Sequence, residues 1–303
     1  MKKYLKIVLI AMLSFTFAFA QKGVLKIGSG GKSGNYFQVA NDIINYCGNE
    51  IKNKYGYSLA NISTSGSVDN IERIKNKKLS LAFVQSDVLE YFNKRDTLQT
   101  LENSTFKLIN LYPEYLHILI PKGWQPKKTN SGWFSNLKNL FSDNSNKTIS
   151  IYSLKNQVVY AKGGAIVSAQ ALSYFLNLNL HIVNADNGKV NGPFIFVTGS
   201  GDKRIQKMLA SGKWWLLSFN PVDLTNRVSF YKPAKLTYII NGKSTSVNTV
   251  SIMSVVIARK YNSKKRIAAI NEIKQCIHNN IDDLLDDDDT SPKWQLIKIT
   301  NGW

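Results

Sequence analysis

The feature that most constrains this 303-residue chain is a repeated order: a short apolar strand, then a Gly/Ser-rich loop, then a helix. Stretches 24–28, 59–64 and 81–84 read as strands. Each runs into a polar loop (29–34, 65–67, 85–87) and then a helical pattern, from Asn35 to about residue 54, over 68–75 and on to about residue 93. In the first helix Phe37, Ala40, Ile43, Ile44 and Cys47 recur on one face. Strands that alternate with helices can pair in parallel through crossovers, which predicts an open α/β sheet with helices on both faces. Residues 106–120 form a long apolar stretch that reads as broken at Tyr112-Pro113-Glu114. The pattern then restarts: strands at 148–152, 180–183, 194–198 and 214–219, helices at 165–176 and 203–211, a late strand at 250–258, and helices to about Leu285. Between them, 124–147 is polar and turn-rich, with Trp133, Phe134, Leu137, Leu140 and Phe141 on one helical face, read as core. The length is that of about two such units.

The first twenty residues fix the expected compartment. Lys2, Lys3 and Lys6 precede an uncharged run over 7–20 that ends Ala18-Phe19-Ala20, the pattern of a secretory signal peptide cleaved after Ala20. At 1.5 Å per residue this run spans only about 21 Å, short of a ~30 Å hydrocarbon core. The mature chain is therefore expected in the periplasm, with no direct membrane insertion.

Removing those three lysines takes the net charge from +19 to +16. The excess is overwhelmingly Lys, with only six Arg in the chain. Arg is the residue expected for bidentate phosphate and base recognition, so nucleic acid is not the expected partner. Cys47 and Cys276 are an even pair in an oxidising compartment, so pairing stays open. Both fall on helical patterns, where burial as free thiols is the favoured reading.

The three strand-end loops carry the candidate site. The first follows a strand and opens a helix, where unpaired N–H groups and the helix dipole favour an anion. Two nucleotide fingerprints fail: a P-loop would need glycine at Lys26, and a dinucleotide loop would need it at Ser33. A backbone cradle for a carboxylate remains, beside hydroxyls from 63–67 and the polar set Gln85-Ser86-Asp87. In an open α/β sheet such loops line one crevice. No catalytic residues are nominated: His117, His181 and His278 stand alone, and no nucleophile motif is present. No metal site or cofactor is expected either. The acidic run over 282–289 lacks EF-hand spacing and reads as a solvated face.

The ordered motifs Ile27-Gly28-Ser29-Gly30-Gly31-Lys32-Ser33-Gly34-Asn35-Tyr36, Ser63-Thr64-Ser65-Gly66-Ser67-Val68-Asp69-Asn70, Leu81-Ala82-Phe83-Val84-Gln85-Ser86-Asp87-Val88 and Leu111-Tyr112-Pro113-Glu114-Tyr115 resemble the TAXI-family solute-binding proteins of TRAP transporters. The resemblance implies a two-lobed, type II periplasmic-binding-protein-like α/β fold, each lobe an open, mostly parallel sheet flanked by helices. Lobe I would comprise 21–112 with 255–303, and lobe II 113–254, with crossovers near 111–121 and 249–260. It implies capture of a small anionic solute, an acidic amino acid or related carboxylate, for a TRAP-type permease. An alternative is a sensory protein of the same fold signalling to a membrane receptor.

On that reading Gly30, Gly31 and Lys32 offer backbone N–H groups, and Ser33, Ser65 and Ser67 offer hydroxyls. Tyr36 opens the first helix, Gln85 and Asp87 read a neutral or amino substituent, and Tyr112 walls the cleft. Lys162 or the Gly163-Gly164 backbone closes from lobe II. The second-lobe stretch from Tyr160 to Ser168 departs from the family's hydroxyl-rich pattern.

Overall fold

A computed structural model of the chain describes residues 23–124, 150–187 and 189–297. The signal-peptide stretch and the aromatic face at 133–141 lie outside these residues.

Lobe I begins with β1 (Val24–Gly28), α1 (Asn35–Tyr55), β2 (Ser58–Ile62), α2 (Ser67–Lys75), β3 (Leu81–Gln85), α3 (Ser86–Arg95) and α4 (Thr100–Ser104). The chain leaves it through β4 (Thr105–Pro121), which is continuous for 17 residues and not broken at Pro113. Lobe II holds β5 (Val158–Ala161), α5 (Ala165–Leu176), β6 (His181–Asn184), β7 (Phe194–Thr198), α6 (Lys203–Ala210), β8 (Trp214–Leu216), α7 (Val222–Thr225) and β9 (Tyr231–Ile240). A second 17-residue strand, β10 (Lys243–Arg259), returns to lobe I, where α8 (Lys264–Asn279) and α9 (Ile281–Asp286) follow. The expected strand at 148–152 is, in its described part, a 3₁₀ turn over Ile151–Leu154 whose cap Ser150 accepts from Tyr152 N–H.

The sheet shows one plan used twice. Its path is β2-β1-β3-β10-β4-β7-β5-β6. In lobe I, β10 runs antiparallel between β3 and β4, beside the parallel set β2-β1-β3. In lobe II, β4 runs antiparallel between β7 and β8, because Leu119 pairs with Phe194 on one edge and Leu216 on the other. Beyond β7 lie β5 and β6, again parallel. Each long strand therefore serves both lobes.

Where β4 and β10 cross between lobes, their register slips. Met253 pairs with Pro113, but Val255 pairs with Asn110, leaving β4 one residue in excess. Such a bulge bends the strand and tolerates a residue without an N–H, which is why Pro113 does not interrupt the run.

The residues around Asn241-Gly242 explain the hairpin from β9 to β10. Both have positive φ, 50° and 75°, as a two-residue turn requires.

Each lobe has a core on either side of its sheet. In lobe I, Leu25, Ile27 and Phe83 pack under α1 and α8, while Ala82, Val84 and Ile257 pack under α2 and α3. In lobe II, Ile118, Val159 and Ile195 meet α5, and Leu119, Tyr238 and Val247 meet α6. Cys47 of α1 and Cys276 of α8 are both fully buried and joined in a disulfide, with Cα atoms 5.8 Å apart. The favoured free-thiol reading is corrected: two facing helices bring together residues 229 apart in sequence. Among the described residues no helix is long and apolar enough to cross a membrane.

Candidate functional site

The C-terminal ends of β1 and β3 are held in place by one side chain. Asn70 Nδ2 donates to the Ser29 carbonyl at 2.7 Å and to the Phe83 carbonyl at 2.8 Å. Gly28 makes room for it, since a Cβ there would sit 2.6 Å from Asn70 Oδ1 and 2.3 Å from a Leu79 methyl. The loops that follow these strands then open onto a cavity of about 190 Å³ lined by Gly30, Gly34, Asn35, Tyr36, Gly66, Ser67, Gln85, Glu114 and Gly164.

Four helices start at this cavity: α1 after Gly34, α2 after Gly66, α3 after Gln85 and α5 after Gly164. None of these four cap residues accepts a hydrogen bond through its side chain. The other described helices of eight residues or more, α6 and α8, are capped by Asp202 and Ser263. The uncapped ends concentrate partial positive charge and N–H donors on one small space.

Against that positive rim stands the one carboxyl in the cavity lining. Glu114, in β4 at the crossing, receives Gln85 Nε2 at 2.6 Å and the Tyr36 hydroxyl at 3.3 Å, both on Oε2. Among the described residues no donor is placed on Oε1. Burial pushes its pKa up to about 7, against the two donors that favour the ionised form. The Tyr36 hydroxyl also lies 3.3 Å from Ser254 Oγ of β10, so both crossing strands reach this cluster.

Of the residues nominated from sequence, Gly30, Tyr36, Ser67, Gln85 and Gly164 line the cavity. Ser67 Oγ accepts the Gln85 N–H at 3.1 Å, bracing one loop on the next. Gly31, Lys32, Ser33 and Ser65 are exposed on the loops and do not line it. Tyr112 is wholly buried in the lobe I core, with its ring 6.2 Å from that of Tyr36. Gly163 is exposed, and Lys162 turns its ammonium to Asp186 at 2.9 Å.

Asp87 is fully buried at the start of α3, outside the lining, and its Oδ2 has no hydrogen-bond partner among the described residues. Burial raises its pKa to about 6, opposed by the nearby Ser168 hydroxyl and the Val88 N–H. Ser168, from the first turn of α5, also donates to Gln85 Oε1 at 3.4 Å. With the Tyr91–Tyr174 ring pair at 5.8 Å, it closes lobe II onto lobe I beside the cavity.

The sequence reading missed Glu114 as a site residue. Its signal was present: it is the sole acid in a 15-residue apolar run from Phe106 to Ile120. His117, in the same strand, is a core residue. Its Nδ1 lies 2.9 Å from the Tyr115 carbonyl and its Nε2 2.7 Å from the Tyr238 hydroxyl, and burial lowers its pKa to about 4.

The two raised carboxyls give a pH prediction. Between about pH 4 and pH 7 the unfolded chain releases these protons while the folded chain keeps them. These two carboxyls therefore contribute stability that falls as pH rises through that window, by up to about 3 kcal/mol per group, while His117, buried neutral with its pKa lowered to about 4, contributes in the opposite sense. Urea unfolding at pH 5 and pH 7.5 isolates the Glu114 part by difference: Glu114→Gln should lose markedly less stability over that interval than wild type, the His117 contribution being common to both. An equal loss in wild type and variant would show that the Glu114 carboxyl is not raised.

Two lobes of one strand plan, joined by two shared strands with a small cavity between them, define a type II periplasmic-binding-protein-like fold. The family model described as the NMT1-like family matches residues 27–299, and the chain belongs to that family.

Among solved structures, XAC2383 from Xanthomonas citri bound to ATP matches at 7% identity and TM-score 0.49, covering 90% of this chain and 87% of its own. The GluR0 ligand-binding core from Nostoc punctiforme in complex with L-glutamate matches at 14% identity and TM-score 0.43, covering 84% and 93%. An ancestral arginine-binding protein bound to arginine matches at 13% identity and TM-score 0.42, covering 86% and 94%. These are likenesses of chain path and assign no ligand to this chain.

Proposed function

We propose that this protein is an exported solute-binding receptor that closes its lobes on a small organic acid, an acidic amino acid or related carboxylate, and presents it to a TRAP-type permease. The observation that carries the reading is the convergence of four uncapped helix N-termini, three from lobe I and one from lobe II, on the cavity that Glu114 lines. The helix ends supply N–H groups and positive potential for a carboxylate, and Glu114 reads a hydrogen-bonding substituent. The cavity is smaller than the roughly 300–1,000 Å³ of drug-sized sites, which suits a metabolite of modest size.

Export after cleavage at Ala20 accords with the buried Cys47–Cys276 disulfide, a bond that persists in oxidising compartments. The proposed lobe division at 112/113 and 254/255 is supported by the register slip between β4 and β10 at Met253 and Val255. Closure around the solute, with α5 meeting α3, would be the state the permease reads. The bound solute contacts helix ends and one carboxyl, so we assign binding and not turnover.

A thermal-shift panel of amino acids, dicarboxylates and sugars tests this. A cognate acid at a hundred times its Kd should add about 2.7 kcal/mol of stability. Stabilisation by sugars alone, or by no member of the panel, would sink the reading. A permease gene beside this one would support the TRAP assignment.

A further inference from the structure

Half of the arginines in this lysine-rich chain meet in one place. Arg73, Arg259 and Arg266, with Lys26, Lys77 and Lys78, line a groove of about 440 Å³ that shares no residue with the cleft cavity and has no carboxylate in its lining. It runs between the end of α2 and the start of α8, past β1. Leu25 and Ile27 point into the core under α1, so Val24 and Lys26 face the other way, along the groove.

The groove is built and not merely lysine-coated. Tyr261 anchors through its hydroxyl, which lies 3.0 Å from Ser80 Oγ. Its ring holds the guanidinium of Arg259 at 4.1 Å and that of Arg266 at 4.7 Å from its centroid. Arg259 Nη1 is fixed further by the Lys77 carbonyl at 2.9 Å. Arg73 alone has an acidic partner, Asp69, at 2.5 Å. Among the described residues, no ion pair is recorded for the other five cations. Arg266 Nε is shut off from solvent with no hydrogen-bond partner among the described residues.

The local electrostatics are adverse as they stand. Lys264, Lys265 and Arg266 occupy the first turn of α8, which has no acidic residue, so three cations sit at the positive end of a 16-residue helix. Basic residues at the end of α2 complement its dipole, but this arrangement at the start of α8 does the reverse. A polyvalent anion seated in the groove would meet two pre-oriented planar forks and the lysine ammoniums, and would offset that repulsion.

We propose that this groove is a second ligand site that recognises a phosphate-bearing anion, either a soluble phosphate compound or the phosphate headgroup of a lipid. Arg259 and Arg266, clamped on Tyr261, bind the phosphate oxygens in bidentate fashion, and Lys26, Lys77 and Lys78 neutralise the remaining charge.

Calorimetric titration of the full mature chain with inorganic phosphate and pyrophosphate, against chloride at matched ionic strength, tests the soluble source. Flotation with phosphatidylcholine vesicles, with and without phosphatidic acid, tests the lipid source. Saturable pyrophosphate binding, or capture by the phosphatidic acid vesicles alone, supports the site and identifies its source. In either case Arg259→Gln/Arg266→Gln must weaken binding by at least about tenfold, as loss of charged hydrogen bonds predicts. That variant should keep its affinity for the cleft solute. If it fails to fold, Lys26→Gln/Lys78→Gln, at two exposed positions, provides the same comparison. Undiminished binding in the variants, an equal response to chloride, or no binding of either probe would overturn the proposal.

Discussion

Replacing Glu114 with alanine is expected to weaken capture of the cleft solute by about 10- to 150-fold, the loss of one charged hydrogen bond worth about 1.5–3 kcal/mol. The effect is large because Glu114 is only 9% exposed and is the carboxyl that faces four helix ends. Truncation also strands one donor, Gln85 Nε2, while the Tyr36 hydroxyl, which now shares the same Oε2, keeps Ser254 Oγ as a partner. Each buried donor left without a partner costs about 1–3 kcal/mol, so a loss of folding stability should accompany the loss of affinity.

Glu114→Gln separates the two effects. Its side-chain oxygen can still accept from Gln85, which preserves the fold, but it cannot ionise. If the solute presents an ammonium group to Oε1, the glutamine variant should bind nearly as poorly as alanine. If it presents a hydroxyl, the glutamine variant should bind nearly as well as wild type. Calorimetry on both variants, with circular dichroism to verify folding, reads these outcomes. Wild-type affinity in Glu114→Ala would remove Glu114 from the site.

Loss of the Cys47–Cys276 bond should give the largest change in stability. The bond closes a loop of 229 residues, for which the chain-entropy account gives ~5 kcal/mol at room temperature. Both cysteines are 0% exposed within the core between α1 and α8, so alanine also removes packed sulfur, and wild type under reductant isolates the cross-link. Urea midpoints of the Cys47→Ala/Cys276→Ala chain and of wild type under reductant should both fall well below the oxidised protein. Coincident midpoints for all three would show that the bond contributes nothing to folding.

Much of lobe I was legible because its information is local. A strand, a glycine-rich loop and a helix are adjacent in sequence, so the loops at Gly30, Ser67 and Gln85 could be brought to one crevice by topology alone. The helix over Ala165–Leu176 and the strand over Phe194–Thr198 were equally plain.

What resisted reading depends on distant partners. Pro113 looked like a break because a central strand excludes proline, and the bulge that accommodates it exists only in the pairing of β4 with β10. Tyr112 looked like a cleft wall, but the adjacent excess residue in β4 accompanies its burial in the lobe I core. The disulfide joins helices from opposite ends of the chain, and nothing near either cysteine announces its mate. Loop residues such as Lys32 and Ser33 were nominated for their chemistry, while they are exposed outside the cavity lining, on a turn in which Gly34 N–H reaches the Gly31 carbonyl at 2.8 Å.

The link between α1 and α8 also changes what a broken backbone means for this molecule. Everything from Cys47 to Cys276, including all of lobe II and both shared strands, lies within one covalent ring. A protease that nicks the chain once inside this ring opens the circle without releasing a fragment. The severed ends stay tethered through lobe I and remain threaded into the shared sheet by β4 and β10. A single cut in lobe II therefore yields a two-chain protein of unchanged mass apart from one added water, which separates only when it is both reduced and unfolded.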